Sequence, residues 1–593
     1  MCGISGLISI DKISEYETSN MNKINQELEM RGPDHVGAWM NLSGTVRLNH
    51  TRLSIVDNSS AGSQPMRFDH LCITFNGEIY NYSDIRSKLK NSGYKFETRT
   101  DTEVMLKAYH LYGTACLVKF DGQFSFAIWD EKKKELFIAR DRFGKKPFYY
   151  TISDNKFKFS SYLPSLIKND NQKLSINKTA IDFYFRLGII PAPHTPFLRY
   201  QKLENGVAGI IKLENNKLKM NTWKYYELEF ETEGSEVSEN KAIKETKNAI
   251  VEGVEKRLNT DVNSCVFLSG GLDSSLITAI AYKELNVKIP TIAIGFEETF
   301  GKSGDEFEYS DYVSDLFGTH HTKNRISNEL VLKNIEDCYL RINEPMWGFD
   351  MMGHYLMAKS IKNKYKVALS GMGADEMWMG YSWHREMTKY DMSAEKLFSI
   401  FIQNDESLSK YCSDEVLANS DTNDLVKKYF EALNGHKCDE FEKILHSELN
   451  LFLPEDALKR SDSTTMRHGL EVRVPFLDSE VINIGRKIHH SLKCKHGIDK
   501  YIIKKISESY FSDSFIHREK GYFPVAPLQY QSKEIFEFMK EILMDEKSNY
   551  YKLYNKTYIL ELLSRKTITT REKYILWKIT CLECWIRQFS GNN

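Results

Sequence analysis

The 593-residue chain has no excess of either charge: 80 lysines and arginines stand against 81 aspartates and glutamates. Without a basic surplus nothing collects a phosphate backbone, which argues against nucleic acid as a partner. Proline is scarce, 13 in all, and no tract is of low complexity, so large disordered regions are not expected. No apolar run reaches the roughly 18 residues that a membrane-spanning helix needs, and the opening MCGISGLISIDK lacks the basic segment and long apolar stretch of a signal peptide. The expectation is a cytoplasmic protein with no membrane partner. The ten cysteines are scattered, and only Cys581 and Cys584 form a CxxC, with no second pair to complete a zinc site. Within YILWKITCLECWIRQF the apolar residues recur at helical spacing, so these two thiols are predicted to be core.

Single cores stop growing at roughly 250 to 300 residues, so a chain of this length divides into at least two domains. The first quarter alternates short apolar runs with turn signals, as in CGISGLISI, LCITFNGEIYN and GQFSFAIWD, and carries helical patterns after Tyr82 and from Asp101 to Gly113. An α+β layered domain follows. The acidic stretch ELEFETEGSEVSENKA has no apolar period and reads as a linker. The predicted division is a domain over 1–228, a linker over 229–239 and a second domain over 240–593. In that second part SCVFLSGGLDSSLITAIAYKEL reads as buried strand, glycine turn and helix, and TIAIGF and KVALSG continue a parallel α/β pattern. From about residue 385 onward the periodicity is mostly helical.

A cysteine directly after the initiator methionine can end with a thiol and a free α-amine on one residue. An α-amine titrates near about 7.7–8.0 and can take the thiol proton without a histidine. Its neighbours suit a glutamine substrate: Arg52 for the carboxylate, Asp101 and Glu78 for the ammonium. Asn76 offers an amide NH₂ and Gly77 a backbone N–H, together an oxyanion hole for the tetrahedral intermediate; a plain Asn-Gly hairpin is the alternative. MCGISG, RGPD, RLSIVD, NGEIYN and DTEV, in this order, resemble the class II glutamine amidotransferases. The resemblance implies an N-terminal nucleophile αββα fold, with Cys2 as nucleophile, Asn76 and Gly77 as oxyanion donors, and Arg52 and Asp101 as substrate clamps.

SGGLDSS, residues 269–275, joins a strand to a helix, where turn amides and the helix N-terminus converge on an anion, and it lacks the lysine of a Walker A loop. Asp273 there suits magnesium. The loop resembles the pyrophosphatase-type loop of ATP-dependent amide synthetases, and LSGMGADEMWMGY after a second strand supplies Asp375 as a second magnesium ligand. LPEDALKRSDSTTMRHGLEVRVPFLD and GIDKYIIKKI extend the resemblance to the glutamine-hydrolysing asparagine synthetases over nearly the whole chain. This implies a PP-loop synthetase domain with a helical C-terminal extension. ATP is then held by Leu268 and Ile294 around adenine and by Ser269, Gly270, Gly271, Asp273, Ser274, Ser370 and Gly371, and Lys500 stabilises charge on the α-phosphate. Glu471 and Arg473 read as structural.

The implied reaction hydrolyses glutamine and passes ammonia to a carboxylate activated as an acyl-adenylate, releasing AMP and pyrophosphate, with aspartate to asparagine as the default. Met372 stands where many of these synthetases carry an acidic residue, so a different acceptor carboxylate, from a secondary metabolite, sugar or peptide, is the main rival. The other rival is a non-catalytic module that binds glutamine or nucleotide. A homodimer is left open.

Overall fold

The computed structural model describes residues 2–589 apart from 154, 171, 215–216, 232–236, 300, 404, 435–437, 520, 522–524, 546–551 and 566. Part of the predicted linker therefore lies outside the described residues.

The N-terminal part is built on twelve strands: β1 (Gly3–Ser9), β2 (His35–Met40), β3 (Val46–Arg52), β4 (Met66–Phe68), β5 (Leu71–Ile79), β6 (Gly122–Asp130), β7 (Glu135–Arg140), β8 (Tyr149–Ser153), β9 (Lys156–Ser160), β10 (Gln201–Lys202), β11 (Val207–Glu214) and β12 (Lys217–Lys224). They form two antiparallel sheets, ordered β10-β8-β9-β1-β3-β2 and β12-β11-β7-β6-β5-β4. Successive side chains on a strand point to opposite faces, and both faces are used here. On β5, β6 and β7, Cys72, Ala127, Trp129, Leu136 and Ile138 pack inward against Ile4, Ile8, Val46 and Leu48 of the facing sheet. The alternate positions Ile73, Phe75, Phe126, Ile128 and Phe137 pack outward against Ile85, Leu89, Val104 and Met105 of the helices Tyr82–Asn91 and Asp101–Tyr112. The helix Glu15–Leu28 covers the other sheet through Met21, Ile24 and Leu28. The layers are thus helix, sheet, sheet, helix, as expected. Strands buried on both faces explain why the sequence shows near-continuous apolar runs there.

The second part has a sheet of β13 (Ser264–Phe267), β14 (Thr291–Thr299), β15 (Lys302–Gly304), β17 (Val367–Leu369) and β18 (Glu471–Arg473), in the order β15-β14-β13-β17-β18, with β16 (His321–Ile326) pairing β14. Every pairing except β14 with β15 is parallel. Strand order reverses at β13, between β14 on one side and β17 on the other, and the crevice beyond the carboxyl ends of such neighbours is where α/β sheets bind ligands. The remainder is helical. Cys581 and Cys584 lie buried in the helix Thr570–Arg587, as predicted. The Met-rich segment after Ile342 is also core: Met346, Met351, Met352 and Met357 are buried in the main apolar cluster. No described helix is long and apolar enough to cross a membrane.

Candidate active sites

Cys2, Arg52, Gly77, Glu78 and Asp101 line one cleft of about 370 Å³, with Leu53, Gly62, Gln64, Thr100 and Thr102 completing its wall. The fold brings them together because β1 starts where β3 ends, Gly3 lying opposite Thr51, while β5 of the facing sheet ends at Ile79 and the helix that opens on Asp101 packs on β5. Asn76 is fully buried behind Cys2 and its Oδ1 accepts the Cys2 backbone N–H at 3.1 Å. That bond fixes the amide's orientation and leaves Nδ2 buried with no partner among the described residues. An unsatisfied buried donor costs roughly 1–3 kcal/mol, so this amide carries a cost that its surroundings do not offset. At Gly77 an added Cβ would stand 2.1 Å from the Gln123 carbonyl and 2.7 Å from Phe124 Cα, which excludes any side chain.

Arg52 is held open to the cleft by the loop after β3: its NH1 donates to the Ser59 carbonyl at 2.7 Å and its NH2 to the Asp57 carbonyl. Gly62 makes room, since a Cβ there would meet Arg52 NH2 at 2.2 Å. Asp101 accepts the Ile79 N–H at 2.9 Å, and burial pushes its carboxyl up to about 6, against the pull of that bond. Burial also raises the Cys2 thiol, opposed by a hydrogen bond from the Leu53 backbone and by the Arg52 charge.

In the second part the turn after β13 and the turn after β17 touch: a Cβ on Gly371 would lie 2.7 Å from Asp273 Cβ and 3.0 Å from the Ser274 nitrogen. Ser269 Oγ accepts the Gly271 N–H at 3.2 Å and lies 3.1 Å from Ser274 Oγ, closing the loop ahead of the helix Leu272–Lys283. Lys500 enters from the N-cap of the helix Tyr501–Ser507 and is 5% exposed. Its Nζ stands 2.7 Å from Asp273 Oδ2 and 2.8 Å from Asp375 Oδ1. Burial disfavours the ammonium, but the two carboxylates outweigh it and raise its pKa, so Lys500 is charged. Gly380 permits this convergence, because a Cβ there would fall 2.0 Å from both Asp375 Oδ1 and Lys500 Cε. A neighbouring cleft of about 290 Å³ is lined by Ser269, Ile294, Phe296, Asp305, Glu306 and Phe307. Leu268 is fully buried, and its N–H is taken by the Ile292 carbonyl at 2.9 Å. Any contact from it is confined to its backbone carbonyl.

Residues 1–226 match the family described as glutamine amidotransferase domain, and residues 245–587 the family described as asparagine synthase. The chain belongs to the asparagine synthase family. It is 30% identical to asparagine synthetase (glutamine-hydrolyzing) 1 of Bacillus subtilis over 95% of this chain and 93% of that one. It is equally identical to synthetase 3 of the same organism, again over 95% and 93%. A more distant relative, amidase chry2 of Gibberella zeae, is 24% identical over 90% of this chain and 91% of its own.

What distinguishes this synthetase's two sites from two independent ones is a set of buried ion pairs between them. Arg473 NH2 lies 3.3 Å from Glu78 Oε2 in the glutamine cleft, while its Nε donates to Glu471 Oε1 at 2.6 Å. The Arg473 carbonyl accepts the Ser370 N–H at 2.9 Å, so one residue of β18 touches both the cleft and the turn after β17. Arg31, from RGPD, donates to the Cys2 carbonyl at 3.3 Å and pairs with Asp462 at 2.9 Å. The sequence reading assigned Glu78 to the substrate ammonium and treated Arg473 as structural. In the fold Glu78 lines the cleft together with Asp101 and also faces Arg473. Arg518 was also missed: its NH2 donates to the Gly270 carbonyl at 2.9 Å and its guanidinium stacks 3.8 Å over Tyr309.

Removing one partner of a buried pair leaves an uncompensated charge and costs about 3–5 kcal/mol. Arg473→Met is therefore expected to lower stability by about that amount, read as a fall in the denaturant midpoint at unchanged slope. A variant as stable as the parent would show that Glu78 and Glu471 do not depend on this guanidinium.

Proposed function

We propose that the enzyme makes asparagine from aspartate, drawing ammonia from glutamine and activating the acceptor with ATP. In this reading Cys2 attacks the glutamine amide carbon, its α-amine takes the thiol proton and returns it to the departing ammonia, and water later releases glutamate. Asn76 Nδ2 and the Gly77 N–H receive the oxyanion, Arg52 clamps the carboxylate and Asp101 the ammonium. In the second site the acceptor carboxylate attacks the α-phosphorus of ATP, pyrophosphate leaves, and ammonia displaces AMP from the acyl-adenylate. The turn containing Ser269, Gly270, Gly271 and Ser274, with Ser370 and Gly371, cradles the phosphates, and Ile294 and the backbone at Leu268 border the adenine.

Asp273 and Asp375 fit magnesium, since two carboxylate oxygens already meet on one cation and magnesium is commonly bound through one or two carboxylates plus substrate phosphates. When bound it would offset phosphate charge there. Lys500 carries the same task toward the α-phosphate oxygens.

The observation that supports the whole reading is Asn76, bonded through Oδ1 to the Cys2 N–H and with Nδ2 left without a partner among the described residues, in a chain whose second half converges Asp273, Asp375 and Lys500. The test is to incubate purified, N-terminally processed protein with glutamine, ATP, magnesium and aspartate and to follow asparagine and AMP. Equal amounts of both are expected. AMP release with another carboxylate but not with aspartate would move the acceptor assignment to the reading that Met372 favours, in which the ammonia end lacks the acidic residue.

Asp101 gives this reading a pH signature. Burial pushes its carboxyl up to about 6, the neighbouring Glu78 carboxyl is raised as well, and only a carboxylate attracts an ammonium. As pH falls through 6, KM for glutamine should rise, approaching about tenfold per unit below it, whereas kcat at saturation changes less because bound ammonium holds the carboxylate ionised. Asp101→Asn should abolish this dependence. A KM flat from pH 5 to 7 would remove Asp101 from the ammonium site.

A further inference from the structure

Away from both sites, Asp69, His70 and His110 each bring one ligand atom to within 4.8 Å of the others. Asp69 and His70 form the turn between β4 and β5, and His110 lies in the last turn of the helix Asp101–Tyr112. His70 Nδ1 is 2.7 Å from Asp69 Oδ2, and His110 Nε2 is 3.4 Å from the same oxygen. Tetrahedral zinc with bonds of about 2.0–2.2 Å sets its ligand atoms about 3.4 Å apart; the His110–Asp69 separation meets this as it stands, and the hydrogen-bonded His70–Asp69 pair would have to part to admit the ion.

The surroundings are also those of a ligand set. The remote nitrogen of each ring has a partner: His70 Nε2 faces Asp130 Oδ1 at 3.6 Å, and His110 Nδ1 is 2.6 Å from the Tyr94 hydroxyl. Asp130 is itself fixed, 1% exposed and accepting the Lys132 and Lys133 N–H groups at 3.0 Å each. Outer partners of this kind set the tautomer and turn the inner nitrogen toward a common point. The competitor is Lys132, whose Nζ lies 3.2 Å from Asp69 Oδ2; its side chain is 65% exposed, so water takes it readily when a divalent ion claims the oxygen.

We propose that Asp69, His70 and His110 form a binding site for a divalent transition metal, zinc above all, that staples the β4–β5 turn to the C-terminal end of the helix Asp101–Tyr112. Two imidazoles and a carboxylate suit zinc, nickel or copper better than magnesium or calcium, and three protein ligands leave a fourth position for water. The staple has a consequence for the glutamine cleft. β5 carries Asn76, Gly77 and Glu78 toward its far end, and the helix begins with Asp101, whose carboxylate already accepts the Ile79 N–H. The metal ties the same two elements at their opposite ends.

The test uses the full chain, stripped with chelator and titrated with zinc alone by calorimetry, with unfolding followed in parallel. Wild type is expected to take up zinc at this site and to unfold at a higher temperature when loaded, because a ligand that binds only the folded state stabilises it. Tyr94→Phe, which frees His110 Nδ1, should weaken binding about 10–100-fold, and His70→Gln or His110→Gln more than that. His489→Gln controls for the second group of this composition, Asp439, His489 and His490; it should leave this site's uptake and the stabilisation intact. No zinc uptake by wild type, or stoichiometry and midpoint unchanged in both His70→Gln and His110→Gln, overturns the proposal, as does uptake that leaves the midpoint where it was.

Discussion

In processed Cys2→Ala protein, asparagine synthesis from glutamine is expected to fall by roughly 10⁴-fold or more, the scale of losing a catalytic nucleophile, while synthesis from an ammonium salt stays within a factor of a few. The separation follows from where Cys2 sits. It touches Asn76 and Arg31 and lines a cleft shared with Arg52 and Asp101, and none of these belongs to the turns that carry Asp273 or Asp375. Removing one sulfur from a buried residue that borders a cleft leaves only a small void, so the fold should persist. The measurement is paired steady-state kinetics with the two nitrogen sources. Equal loss with both would mean that Cys2 serves the synthetase chemistry and would overturn the division of labour. A distinct outcome is expected for Asp462→Asn, which leaves the thiol in place but loosens Arg31 from the Cys2 carbonyl: glutamine turnover falls by a smaller factor and ammonia-dependent synthesis is again retained.

Most of the glutamine cleft was legible because each contributor stands in a short motif at the end of a strand. The alternating apolar pattern placed LCITFNGEIYN on a strand and DTEV opened a helix, while RLSIVD turned out to begin at the last residue of β3 and continue as the loop that holds Arg52. The fold class was legible for the same reason, since doubly buried strands leave apolar runs and parallel strands leave an alternation with helices. What could not be read were pairings across hundreds of residues. Glu78 and Arg473 are 395 positions apart, Arg31 and Asp462 431, and no local pattern says that β18 slots its arginine under β5. A weak signal existed: HGLEVRVPFLD places two opposite charges inside an apolar run, and charges that are to be buried must find partners. Gly380 gave no signal either. Its reason is the 2.0 Å that a Cβ would leave to Lys500 and Asp375, a property of three segments at once.

The arrangement of Arg473 bears on how the halves work together. Its side chain reaches Glu78 in the cleft where glutamine is cleaved, and its carbonyl holds Ser370 at the mouth of the other site. One residue of β18 thus contacts both sites.

For Lys500→Ala the expected loss is about 10²–10³-fold in synthesis with either nitrogen source, the scale of removing one preorganised donor from a developing oxyanion. Glutaminase turnover without ATP should be unchanged. The geometry requires both halves of this expectation. Lys500 Nζ is the shared counter-charge of Asp273 and Asp375, so its removal leaves two carboxylates facing one another and, on the role proposed above, withdraws the cation that serves the α-phosphate. Two separate effects are then expected: magnesium no longer competes with an ammonium for the carboxylates and binds more tightly, while the acyl-adenylate forms more slowly because the positioned charge is gone. Magnesium dependence separates the two. In the variant the concentration of magnesium giving half-maximal rate should drop while the maximal rate stays depressed, and Lys500→Arg should recover little, since a planar fork cannot occupy the point that Gly380 keeps free for a single ammonium. Full activity with ammonia in Lys500→Ala, or restoration to wild type by raised magnesium, would show that Lys500 only balances the two aspartates and does not act on the phosphoryl group.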